Sequence, residues 1–262
     1  MRGFVSFVLE LLFPSRCVVC DERVDGNQSG VLVPAGWPDE TIDYMFYSGR
    51  LLVDTCTPPP SKVICKHCLF KLEPADRLYS VLFQNGKSGR ELHIVSPFYI
   101  NDTLLAMVHA LKFSGVRVVS SFLTWWMHLS LKKYMRLCGI NVRDLIIIPV
   151  PLHRSRKRER GYNQSELIAR GIANMLGVNV SRDIIVRKKK TKKQSKLSHV
   201  ERALNVKGAF ELLDVSSIED RVPVLVDDLV TTGSTVLSCA EALSPLDPPR
   251  IIVVSAGRSR TL

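Results

Sequence analysis

The sequence predicts an α/β fold, a mainly parallel central sheet with helices on both faces, preceded by a small zinc-knuckle-like module. Three observations predict it. The continuous apolar runs Leu145–Val150 and Val222–Val226 have the length and β-branched content of strands buried on both faces. Stretches of helical period lie between and around them, the alternation that builds parallel sheets. Ahead of both runs stand two Cys-x2-Cys pairs in a region with few periodic apolar residues.

With 262 residues, 46% of them hydrophobic, the chain can bury one good-sized core and carry an appendage, which argues against disorder throughout. Thirty-six Lys and Arg against 25 acidic residues give a formal charge of +11. That surplus favours anionic partners, phosphorylated small molecules and nucleic acid alike.

In chain order, Met1–Phe13 is apolar, but it is too short to span a bilayer and is interrupted by Glu10, with no cleavage pattern after it. It reads as a short helix packed on its own protein, and the chain as cytoplasmic with no transmembrane segment. Seven cysteines without an export signal are expected to stay reduced. Cys17-Val-Val-Cys20 and Cys65-Lys-His-Cys68 each place two thiolates on one side of a tetrahedral ion, so Cys17, Cys20, Cys65 and Cys68 together can close a structural Zn2+ site. The 44 residues between Cys20 and Cys65 exceed the usual interval of about 12–20. They contain Pro34, Trp37, Pro38, Gly49 and Pro58-Pro59-Pro60 and read as a looped insertion, with Cys56 and His67 as spare ligands. The module is expected over residues 1–79. Ser80–Gly89, rich in Asn, Gly and Ser, reads as a hinge before a second domain over 90–262.

In that domain Leu104, Met107, Val108 and Leu111 mark a helix starting at Asn101 to Thr103, with Lys112 near its C-terminal end. Ser120–Leu137 is a second helix, whose Trp125 and Trp126 belong to the core. The strand Leu145–Val150 leads into a basic loop with five cationic side chains from Arg154 to Arg160, and guanidinium forks suit a pyrophosphate. Gly161 permits a turn. Asn163 caps a helix with apolar face Leu167, Ile168, Ile172 and Met175, which ends at Gly177. His153 adjoins the basic loop, where it can meet a phosphate oxygen. Ile184–Val186 and Ala209–Leu213 read as strands, and after the first of them seven of the ten residues Arg187–Lys196 are basic.

The strand Val222–Val226 is expected to end before Asp227 and Asp228. At its rim these carboxylates can accept hydrogen bonds from vicinal hydroxyls or hold Mg2+. Thr231, Thr232, Gly233, Ser234 and Thr235 then open a helix running to about Leu243, where free N–H groups and the helix dipole favour a phosphate. Diol acceptors with a phosphate cradle beside them match a ribose 5-phosphate. No Gly-x4-Gly-Lys-Ser/Thr loop is present. Ile251–Val254 is a last strand. No nucleophile or general base stands out, and Cys138 and Cys239 read as packed thiols.

The stretch around Asp227 resembles the signature of the type I phosphoribosyltransferases. With Arg160-Gly-Tyr-Asn-Gln-Ser165 and the preceding Pro-Val-Pro-Leu-His-Arg, the match becomes one to the ComF family of phosphoribosyltransferase-like proteins, over roughly residues 90–258. The resemblance implies binding of phosphoribosyl pyrophosphate with Mg2+. Asp227 and Asp228 would lie on the ribose, Thr231 to Thr235 on the 5-phosphate, and Arg160 with Gly161, Tyr162 and Asn163 at the pyrophosphate. It further implies a loop carrying Gln194, Leu197, Arg202 and Asn205 that closes over the substrate, an N-terminal knuckle module, and a link to competence and the DNA-uptake machinery. Two function classes are consistent with these features. One is phosphoribosyl transfer to an unknown acceptor; the other is a non-catalytic accessory factor binding single-stranded DNA, with a regulatory or vestigial pocket.

Overall fold

A computed structural model describes residues 15–24, 63–75, 79–85, 88–189, 206, 208–213, 218, 221–248 and 250–261. The expectations for Met1–Phe13, for residues 25–62 of the insertion, Cys56 among them, and for Gln194, Leu197, Arg202 and Asn205 lie outside these residues. In chain order the described elements are α1 (Lys66–Phe70), β1 (Tyr79–Asn85), β2 (Ser88–Val95), β3 (Phe98–Tyr99), α2 (Asp102–Phe113), α3 (Val118–Cys138), β4 (Leu145–Pro149), α4 (Arg154–Arg160), α5 (Gln164–Leu176), β5 (Ile185–Arg187), β6 (Phe210–Leu212), β7 (Val222–Val230), α6 (Ser234–Leu243) and β8 (Ile251–Arg258).

The main sheet has the order β1-β2-β8-β7-β4, with β3 also pairing β8. β2, β8, β7 and β4 run parallel, and β1 closes antiparallel on β2. Side chains alternate across the strands. Ile147, Val224, Val226, Ile252 and Val254 therefore pack on one face with α2, α3 and α5, while Ile146, Ile148, Leu225, Ile251 and Val253 pack on the other with α6. Trp125 and Trp126 are buried in the first of these clusters. α3 and α5 approach closely because Gly171 has no side chain: a Cβ there would lie 2.6 Å from Thr124 Cγ2. β5 and β6 form a separate antiparallel pair beside α6.

Three expectations are corrected. The Ser80–Gly89 hinge is instead a hairpin that extends the sheet, with Asn85 opposite Ser88. β2 is fixed by parallel pairing with β8, far along the chain. β7 does not stop before Asp227 but continues to Val230, pairing Asp227 with Ser255 and Val230 with Arg258. The basic loop is largely helix α4, opened by His153, whose Nδ1 accepts from the Ser155 N–H at 3.2 Å, and closed by Gly161 at φ +76°.

Candidate functional site

β4 and β7 are neighbours, so the segments leaving their C-terminal ends share one crevice, the usual ligand position in open parallel sheets. A pocket of about 260 Å3 lies there. β7 supplies Asp227 and Asp228, the turn after it supplies Thr231 to Thr235, and the segment after β4 supplies Arg156, Arg160, Gln164 and Ser165. Lys112 of α2 and Arg187 of β5 complete the polar lining.

Consecutive strand residues point to opposite faces, so the two aspartates meet different partners. Asp227 Oδ1 accepts from Ser165 Oγ at 3.1 Å and from the Asp228 N–H at 2.9 Å. Asp228 pairs with the Lys112 ammonium through Oδ2 and accepts from the Leu229 N–H through Oδ1 at 3.0 Å. Burial, and then the charge of Asp228, push the Asp227 carboxyl up to about 7, against the pull of Lys112.

Gly233 adopts φ +72°, a left-handed conformation that turns the chain from β7 into α6. The Thr232 and Ser234 hydroxyls are 2.8 Å apart at the start of the helix. The first N–H groups of α6 precede any intrahelical acceptor.

The basic helix divides its charges. Arg156 and Arg160, four residues apart, share one face and line the pocket, whereas Lys157 pairs outward with Glu166 at 3.6 Å. Arg160 is held by Gln164 Oε1 at 3.0 Å and lies 4.9 Å over the Phe113 ring. Arg187 is 6% exposed and stacks 5.2 Å over Phe210. Burial and then the Arg156 charge lower the Arg187 pKa, and burial and then Arg160 lower that of Arg156. Arg156, set between the charges of Arg187 and Arg160, makes this wall a site matched to an anion.

Of the residues singled out in the sequence, Asp227, Asp228, Thr231, Thr232, Gly233, Ser234, Thr235 and Arg160 come together in the pocket. Gly161, Tyr162 and Asn163 shape its wall without lining it. Gly161 ends α4, Tyr162 Oη donates to the Leu111 carbonyl, and Asn163 caps α5 while its Nδ2 donates to the Val150 carbonyl at 3.1 Å. His153 serves as a helix cap. Lys112, Arg187, Gln164 and Ser165 line the pocket without standing out as site residues in the sequence. The one signal for Lys112 is its place in the last turn of a helix, and Arg187 is masked by the basic run that it opens.

At the other centre, the Sγ atoms of Cys17, Cys20, Cys65 and Cys68 all lie within 4.8 Å of one another. The knuckles are tied by the Val18 N–H to the Val63 carbonyl at 3.0 Å, and Cys65 is the residue from which α1 starts. Burial opposes ionisation of Cys17, but hydrogen bonds from the Cys65, Cys20 and Val19 backbones bring its thiol down to about 7. Burial and then the neighbouring thiols push Cys68 up. Four sulfur donors at this separation can hold a metal such as zinc, whose tetrahedral thiolates stand about 3.8 Å apart at Zn–S of about 2.3 Å. His67 lies outside the cluster.

A parallel sheet with an acidic pair, a hydroxyl-rich helix start and a guanidinium wall at adjoining strand ends defines the type I phosphoribosyltransferase class of fold. The phosphoribosyl transferase domain family matches residues 163–261. The chain is 33% identical to the DNA utilization protein YhgH of Escherichia coli O157:H7, over 70% of this chain and 72% of that one. It is 28% identical to Competence protein F of Haemophilus influenzae, over 74% and 84%, and 25% identical to Competence protein ComFC of Bacillus subtilis, over 87% and 88%. The chain belongs to the ComF family of phosphoribosyltransferase-like proteins.

Proposed function

We propose that the pocket binds phosphoribosyl pyrophosphate, or a related ribose 5-phosphate, with Mg2+. The observation that supports this is the convergence on one pocket of paired buried carboxylates, a hydroxyl-rich helix N-terminus and crowded guanidinium groups. The Thr231 to Thr235 turn takes the 5-phosphate, Asp227 and Asp228 the ribose hydroxyls, and Arg156, Arg160 and Arg187 the pyrophosphate. Asp227 and Asp228 would hold Mg2+ through their oxygen donors together with ligand phosphates, and the ion would neutralise part of the pyrophosphate charge. Transfer to an acceptor would break the C1–O bond to the neutralised pyrophosphate, which departs with the bonding electrons and needs little acid help, and the cationic sugar left behind would be stabilised by nearby carboxylate charge. Titration calorimetry with Mg2+ should show binding, weakened about tenfold or more by the combined Asp227→Asn and Asp228→Asn change, since hydrogen bonds to charged groups are worth about 1.5–3 kcal/mol. Equal affinity in that variant would sink the assignment. The cysteine cluster takes one structural zinc ion in the same reading.

A second reading, a protein that also binds single-stranded DNA in competence, is favoured by the relatives' names and by the basic run after β5. Among its described residues Arg187 lines the pocket and Lys188 pairs with Glu211. Strand binding there would be electrostatic, since no aromatic residue interrupts the run. Replacing Lys188, Lys189, Lys190, Lys192 and Lys193 by glutamine should flatten the log affinity against log salt plot by roughly 3 units, at about 0.7 per phosphate contact. Absence of strand binding at about 50 mM salt, where such contacts are strongest, removes this reading.

A further inference from the structure

The end of α2 meets the pocket through three successive residues. The Leu111 carbonyl accepts from Tyr162 Oη, Lys112 pairs with Asp228, and Phe113 lies beneath the Arg160 guanidinium with the His109 ring 4.7 Å away. The helix end is thereby fixed on both sides of the lysine, and adjustment is left to the flexible lysine stem. The Lys112 side chain is 22% exposed and that of Asp228 is 6% exposed, so their attraction is weakly screened. Both Asp228 oxygens are engaged, Oδ2 by Lys112 and Oδ1 by the Leu229 N–H. A diol or a divalent cation gains Asp228 fully only when the lysine withdraws. The same pocket presents Arg156, Arg187 and the Thr231 to Thr235 turn, where a bound phosphate would offer the ammonium a new anion.

Resting on the sugar-phosphate reading of the pocket, we infer that Lys112 is an exchangeable counter-ion. It holds Asp228 and keeps free divalent cations out of the ligand-free pocket, and it passes to a phosphoryl oxygen when the ligand takes the carboxylate. The exchange swaps one ion pair for another and keeps the pocket's charge matched. An ammonium with three donors on a four-carbon stem suits this role better than a planar fork. It also makes the cation and the ligand arrive together, since a lone cation meets an ammonium already in place.

The test uses the full chain at pH 8, with Mn2+ as the probe and electron paramagnetic resonance counting the free ion. Ligand-free wild type should bind Mn2+ weakly. Lys112→Met should bind it at least about tenfold more tightly, Lys112→Arg should match the wild type, and adding Asp228→Asn to the methionine variant should abolish the gain. In calorimetry with Mg2+, Lys112→Met should weaken phosphoribosyl pyrophosphate binding about tenfold. Unchanged Mn2+ affinity in the methionine variant, or unchanged ligand affinity where the wild type binds, overturns the inference. Should the methionine variant not melt cooperatively, Lys112→Gln takes its place, and tight Mn2+ binding by ligand-free wild type is contrary evidence by itself. A manganese difference with no ligand binding by the wild type defeats the sugar-phosphate reading and the phosphoryl half of the inference, while supporting the hold on Asp228.

Discussion

Asp227 illustrates how a single residue trades stability for a site. Burial, and then the neighbouring Asp228 charge, raise its carboxyl from 3.8 to about 7. Between about pH 4 and pH 7 the folded chain therefore holds a proton that the unfolded chain has released, so the contribution of Asp227 to stability falls as pH rises through that window. Above it the full cost of a buried charge is present. Asp227→Asn keeps an acceptor for Ser165 Oγ and the Asp228 N–H and removes that cost. Its melting temperature should exceed that of wild type at pH 8, with the difference shrinking toward pH 5. A gain of equal size at both pH values, or a loss at pH 8, contradicts the assignment. The acidic pair is legible in the sequence because the hydroxyls that give it meaning, Thr231 to Thr235, lie within a few residues. Lys112 is not, because its meeting with Asp228 is made by tertiary packing of α2 against the end of β7.

At the scale of elements, the segment after β4 depends on one side chain. Asn163 Oδ1 accepts from the Ser165 N–H at 3.1 Å, starting α5, and Nδ2 ties that start to the Val150 carbonyl. Asn163→Ala should destabilise the protein by about 1–3 kcal/mol, from a lost cap of about 0.5–2 kcal/mol and a stranded buried carbonyl. Asn163→Ser, which retains the cap, should lose less. Denaturant titration measures both. Lost ligand affinity with unchanged stability would instead make Asn163 a ligand contact. Helix limits set by local caps, Asn101 for α2 and Asn163 with Gly177 for α5, can be read directly from the sequence. α4 cannot, since seven residues with five cations carry no apolar period. The β1–β2 hairpin is hidden for a different reason: Asn, Gly and Ser make up half of residues 80–89, and the strand that fixes β2 comes at the far end of the chain.

For the whole molecule, the cysteine centre is part of the main core. Cys17, Val24, Val63, Ile64, Cys65, Cys68 and Leu72 belong to the same apolar cluster as Phe98, Trp126 and the sheet residues Val224 and Val254. The Tyr99 N–H donates to the Glu73 carbonyl at 2.8 Å as a backbone tie, and Asn101 Nδ2 donates to the Lys71 carbonyl at 2.6 Å as a side-chain one. Chelation of a zinc ion held by the four thiols is therefore expected to lower the melting temperature of the whole chain in one transition. Under half an equivalent of zinc in protein purified without chelator, together with an unmoved transition, speaks against the metal. The knuckles are plain in the sequence but this shared core is not, because the residues joining them are ordinary apolar positions. β8, the last strand in the sequence, lies between β2 and β7 in the sheet. During synthesis the growing chain therefore carries β2 on one side and β4 with β7 on the other, each with an apolar edge awaiting the same strand, until residues 251–258 leave the ribosome. Assembly of the sheet is a late, long-range event, and the interval before it is when the nascent protein most needs protection from aggregation.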